Sequence, residues 1–111
     1  MLGTKLRALF QRKKGRDLFD LGVASQNESL DAAGVVACFE QYMRHGSATV
    51  SRAQFEENLL KKLATPGFTA DLPVILSVDA LSNFDVERAG ELVLRRLVGK
   101  LKGDAWQGPR P

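Results

Sequence analysis

Residues 16–26 place the tightest constraint on how this chain can fold. On a helical wheel Leu18, Phe19, Leu21 and Val23 cover most of the circumference. Asp17, Asp20 and Ala24 share one narrow polar strip, because three- and four-residue spacings fall on the same helix face. A helix that is apolar nearly all round is a buried helix. Its two carboxylates must then meet a cation, a metal or a water-filled cleft, since an unpaired buried charge is very costly.

The rest of the chain reads as helices around this one. Leu2, Leu6, Leu9 and Phe10 form an apolar stripe over residues 2–13, and Lys5 and Arg12 share one edge of it, seven residues apart. Lys13, Lys14, Gly15 and Arg16 supply the break before the second helix. Asp31 is placed to cap a third helix that reaches Arg44, with Val35, Phe39, Tyr42 and Met43 on one face and Gly46 closing it. Ser51 and Gln54 have the capping-box spacing and open a fourth helix to about Ala64, with Phe55, Leu59 and Leu63 as its inner stripe. Residues 70–78 have the composition of a short strand, but a lone strand would have nothing to pair with, so they read as a short helix with Pro73 in its first turn. Asn83 or Asp85 opens the last helix, expected to run to about Leu101 with Val86, Ala89, Gly90, Val93 and Leu97 inward. The expectation is an all-α fold, a single small domain of five or six short helices over residues 1–102, followed by a flexible tail over 103–111. Trp106 in that tail has the area to dock on the body or on a partner.

Charge is distributed unevenly. Residues 1–16 contain Lys5, Arg7, Arg12, Lys13, Lys14 and Arg16 and no acid, whereas the rest of the chain is net acidic, within an overall charge of +3. A basic stretch on a near-neutral body points to an anionic partner such as phosphate, nucleotide or nucleic acid. The single cysteine, Cys38, excludes an intrachain disulfide and reads as a buried thiol in a reducing compartment. No apolar run approaches the roughly 20 residues that cross a bilayer, and no signal-peptide pattern follows Met1, so a cytoplasmic location without membrane association is expected.

The basic helix and the acidic strip meet at one junction. Carboxylates three residues apart can hold a divalent cation or take a proton from an attacking hydroxyl, and a nearby lysine can neutralise a triphosphate. A structural role is equally available to these residues. Acids are favoured at a helix N-terminus, and Arg16 or Lys5 are placed to pair with them.

The residues themselves go further. Lys5, Ala8 and Leu9, followed by Arg16, Asp17, Asp20 and Leu21, closely resemble the AbiEii/AbiGii-type nucleotidyltransferase toxin family, in which a helix carrying K-x-x-A-L precedes one that opens with R-D-x-x-D-L. Phe39 to Tyr42, the helix ending near Leu63, and Phe84 to Ala89 resemble later parts of the same family, so the likeness spans roughly residues 2–101. It implies that Lys5 faces a nucleotide, that Asp17, with Asp20 as the alternative, is the catalytic-site aspartate, and that Arg7 and Arg16 are supporting positions. It also implies a toxin of a toxin–antitoxin pair acting in phage defence by abortive infection. Family members bind nucleoside triphosphates, and some transfer nucleotides to tRNA.

One departure qualifies this. The family carries a Gly-Ser or Gly-Thr turn and a D-x-D metal pair on a β-sheet upstream of the lysine helix. Here Lys5 follows four residues, Gly46-Ser47 is the only Gly-Ser and no D-x-D occurs. The expectation is therefore the C-terminal helical half of such an enzyme, inactive alone, with no complete metal site in this chain. Mg2+ and a nucleoside triphosphate are expected only in a completed family enzyme. The partners expected are a nucleotide or tRNA, a cognate antitoxin, the missing N-terminal half, or a second copy of the chain. The alternative expectation is a stand-alone basic helical module that binds RNA or another protein.

Overall fold

The computed structural model describes residues 2–109. Seven α-helices occur among them: α1 Leu2–Gln11, α2 Gly15–Ser25, α3 Ala32–His45, α4 Arg52–Leu63, α5 Leu72–Ile75, α6 Val78–Ser82 and α7 Val86–Arg96. A 3-10 turn, Val98–Lys100, follows α7, and the described residues contain no strand. The all-α expectation holds. The radius of gyration is 13.5 Å, close to the ~13 Å of a folded domain of about 100 residues.

Caps set most of the helix starts. Asp31 accepts from the Gly34 amide at 3.0 Å and opens α3. Ser51 and Gln54 form the reciprocal capping box of α4, with Oγ accepting from the Gln54 amide at 3.2 Å and Oε1 accepting from the Ser51 amide at 2.8 Å. Asp85, rather than Asn83, opens α7 by accepting from the Arg88 amide at 3.1 Å. Pro73 sits in the first turn of α5, as its fixed φ and missing N–H allow.

The core joins both helical pairs. Leu6 and Leu9 of α1, Leu18 and Leu21 of α2, Phe39 of α3, Phe55 and Leu59 of α4, and Val93 of α7 are fully buried and belong to one cluster. Phe55 stacks at an angle against both Phe10 and Phe39, with ring centroids 5.2 and 5.6 Å apart. Two close approaches decide the pairing. A Cβ on Gly3 would lie 2.6 Å from Cys38 Cβ, so α1 packs closely on α3, and a Cβ on Gly22 would lie 2.8 Å from Ala89 Cβ, so α2 packs closely on α7. Cys38 is half-buried at the first of these contacts rather than fully enclosed.

Three expectations need correction. Helix α1 stops at Gln11, two residues early, because its last carbonyls turn to side chains of α4 instead of continuing the ladder. Helix α7 stops at Arg96, and the 3-10 turn that follows keeps Leu97, Val98 and Leu101 all in the core. Helix α2 is not enclosed all round. Leu18 and Leu21 are buried, but Phe19 is only partly covered, by an edge contact with Phe84, and Val23 is 52% exposed. Neighbours cover mainly the sides that face α1 and α7, and the first turn meets the segment that leads into α5.

After the 3-10 turn the chain runs beside α4. The Arg52 amide donates to Lys102 O at 2.8 Å, and the Trp106 amide donates to Glu56 Oε1 at 2.8 Å, with the half-buried indole on the body. Of the segment expected to form a tail, Arg110 and Pro111 lie outside the described residues.

Candidate functional site at the seam of α1 and α2

Residues 12–14 turn the chain sharply between α1 and α2, and Lys14 is extended at φ −123°, ψ 119°. The turn lays the basic edge of α1 against the polar strip of α2. Asp17 is completely buried there. Arg12 meets it with a two-pronged hydrogen bond: Nε donates to Oδ2 at 2.8 Å and Nη2 donates to Oδ1 at 2.9 Å. Lys5 Nζ lies 3.7 Å from Asp17 Oδ1 and 2.9 Å from Asp20 Oδ2. The Lys5 and Asp20 side chains are 38% and 43% exposed, so this pair forms the open mouth of the cluster and Asp17 its floor.

The planar guanidinium matches the carboxylate geometrically, which makes this the strong form of an ion pair. The hydrogen bond to Asp17 raises the Arg12 pKa above its ordinary value.

Of the residues singled out by sequence, Lys5, Asp17 and Asp20 come together and two others do not. Arg7 turns away to α3, where its guanidinium lies 5.1 Å from the centre of the Tyr42 ring. Arg16 gives its main-chain N–H to Asp71, and its buried Nε has no hydrogen-bond partner among the described residues. Arg12 was missed as a member of the site, although its seven-residue spacing from Lys5 on one helix edge was visible.

Two further side chains hold the bend. Asp71, in the turn before α5, accepts from the Gly15 amide at 2.9 Å and from the Arg16 amide at 3.1 Å. Lys62 of α4 is buried, and its ammonium donates to the carbonyls of Leu9 and Phe10 at the end of α1. Burial pushes the Lys62 pKa down to about 8. Lys13 also lowers it, and Asp17 partly offsets the effect. Nothing in the sequence around Asp71 or Lys62 marks either as a neighbour of the bend.

As arranged, the cluster does not by itself fit a divalent metal. Both oxygens of Asp17 accept hydrogen bonds from Arg12, and Asp20 is paired with Lys5. The described residues contain no group of three or more His, Cys, Asp or Glu placed to hold a metal ion. What the seam offers is a half-exposed ammonium held between two carboxylates, with the two cations Lys5 and Arg12 balanced by Asp17 and Asp20. No helix among the described residues is long and apolar enough to cross a membrane.

Comparison with known proteins agrees with the family resemblance. The model of the family described as "Nucleotidyl transferase AbiEii toxin, Type IV TA system" matches residues 1–89. The match stops at Ala89, short of the Leu101 limit expected from sequence. No curated protein and no solved structure matches the chain. The family match covers well over half of the 111 residues and takes in the whole of α1 to α6, including both halves of the seam. The chain therefore belongs to the AbiEii nucleotidyl transferase toxin family.

Proposed function

We propose that this chain is the helical part of a nucleotidyltransferase-like toxin acting in phage defence, and that the α1–α2 seam is one wall of its nucleotide site. Lys5 faces the phosphates of a nucleoside triphosphate. Asp20 is the carboxylate that solvent and substrate can reach, and Asp17 anchors Lys5 and Arg12 from below. Arg7 and Arg16 support the wall from outside the cluster. Mg2+ and the Gly-Ser and D-x-D elements belong to a sheet-bearing half that completes the site. Phosphoryl transfer depends mainly on positioning and charge neutralisation, so a wall of this kind contributes without forming covalent bonds. The observation that carries the reading is the half-exposed Lys5 ammonium held between Asp17 and Asp20, inside the region that matches the family.

Isothermal titration of nucleoside triphosphate into the chain, alone and with a co-expressed sheet half, tests this reading. Lys5→Ala is expected to weaken binding by about tenfold or more, the loss of one charge-assisted contact, and Asp20→Ala, which removes the carboxylate that holds the Lys5 ammonium in place, is expected to weaken it less. Equal affinity in all three proteins, or no binding by any of them in either format, removes the reading.

A second reading is a basic module that binds RNA. The exposed Arg12, Lys13 and Lys14 at the bend favour it, as does Arg7 stacked on the partly exposed Tyr42. Binding of this kind neutralises phosphates and weakens steeply as salt rises. A tRNA affinity that does not change between low and moderate salt would exclude it. Binding of an antitoxin, or of a second copy, would use the exposed Val74 and Val78 of α5 and α6, and a strict monomer in light scattering at high concentration would argue against the second copy.

A further inference from the structure

We infer that Lys62, Asn58 and Asp71 are positioning residues for the seam: they clamp the two helix ends on either side of the bend and so fix Lys5 and Arg12 against Asp17. The consequence for nucleotide binding rests on the reading proposed above, whereas the clamp itself is a matter of geometry.

A helix leaves carbonyls unpaired at its C-terminus and amides unpaired at its N-terminus. At this bend two of each set are taken by side chains from far along the chain. Lys62 donates to the carbonyls of Leu9 and Phe10, and Asn58 Nδ2 donates to Phe10 O at 3.2 Å. On the other side Asp71 takes the Gly15 and Arg16 amides on its two oxygens. The charges have the favourable signs, a cation at the C-terminal end of α1 and an anion at the N-terminal end of α2.

The local sequence cannot do this by itself. Lys14 stands at the N-cap of α2 and makes no side-chain cap. Arg12, Lys13 and Lys14 are three adjacent like charges, which favour opening of the bend. Close approach by Asp71 is eased by Gly15, because a Cβ there would lie 3.0 Å from Asp71 Oδ1 and 3.0 Å from Thr69 Cα, tight enough that a neighbour would have to give. The register matters chemically, since a slip of one residue turns a helix side chain by about 100° and would carry the Asp17 carboxylate away from the Arg12 fork.

Hydrogen exchange by NMR on the full chain, without nucleotide, tests the clamp. The observables are the Arg12 Nε–H signal, the Gly15 and Arg16 amides, and the core amides of Phe39 and Leu59. In Asp71→Ala and in Lys62→Met the Arg12 Nε–H should exchange roughly fivefold faster or more, the equivalent of a lost helix cap, while the core amides stay unchanged. Asp71→Ser restores one acceptor and should recover part of the protection. Unchanged Arg12 exchange in both folded variants would overturn the clamp. If either variant fails to fold, the wild-type protein decides: Gly15 and Arg16 amides that exchange at unprotected rates overturn the clamp, and protected ones support it. Because no nucleotide is present, failure here is distinct from failure of the proposed nucleotide site.

Discussion

Arg12 reaches across the bend to Asp17 and holds the buried carboxylate with two nitrogens, at 2.8 and 2.9 Å. The two residues are five apart in sequence but lie in different structural elements, so their pairing reports the angle between α1 and α2. The carboxylate lies at the floor of the seam and the guanidinium is partly exposed above it.

Truncating that arginine should leave Asp17 buried with only the more distant Lys5 and Lys62 as counter-charges. Arg12→Ala is expected to destabilise the fold by about 2 kcal/mol, the order of cost for a buried charge that loses its main partner. Urea denaturation reads this directly. The double variant Arg12→Ala, Asp17→Asn should recover part of the loss, because it also removes the stranded charge. No recovery would show that Arg12 acts through packing of its stem instead.

Lys5 and Asp20 should behave differently. Both are well exposed, and exposed pairs contribute at most about 1 kcal/mol. Lys5→Ala and Asp20→Ala should therefore leave the unfolding midpoint nearly unchanged while weakening nucleotide binding. A large stability loss in both, with affinity unchanged, would assign the pair to the fold alone.

Lys62 gives the fold a pH dependence of known sign. Its pKa in the folded chain is about 8, against 10.5 ordinarily. Between those values the unfolded chain binds more protons than the folded one, so stability rises with pH across that window. Below pH 8 the burial penalty on the ammonium is present in full. Urea midpoints at pH 7 and pH 10, compared between the wild type and Lys62→Met, isolate this contribution from the other lysines. The wild type should gain relative to the variant at the higher pH, and a relative loss would contradict the assignment.

Two glycines should respond differently to alanine. At Gly22 the new Cβ meets Ala89 Cβ at 2.8 Å, which only a shift of a helix can relieve. At Gly90 it meets the Leu63 methyl at 2.7 Å, and that side chain can rotate. Gly22→Ala should cost roughly 1–3 kcal/mol, as overpacked cores do. Gly90→Ala should cost less, because better helix propensity offsets part of the strain. Thermal unfolding of the two variants gives the comparison.

Much of the fold could be read from short-range pattern. Asp31, Ser51 with Gln54, Asp85 and Pro73 act where their spacing to the next apolar stripe put them, because a cap or a helix start is decided within four residues. The Lys5 edge and the Asp17–Asp20 strip were legible for the same reason. Helix ends governed by distant contacts were not. The end of α1 at Gln11, two residues before the expected limit, depends on contacts from α4, nearly fifty or more residues away. Val23 looked like core because a wheel shows which residues are apolar but not which sides have neighbours, and here it faces outward.

By itself, then, the sequence determined the helices, their caps, and the basic and acidic faces that meet at the seam. Those are properties of one turn of backbone and of side-chain periodicity, and both are local. Only the tertiary structure decided that Arg12, and not Arg16, holds Asp17, that Arg7 leaves for Tyr42, and that Lys62 and Asp71 close the bend. Those choices depend on the angle at which α1 meets α2, and long-range packing of α4 and the α5 turn against the bend sets that angle.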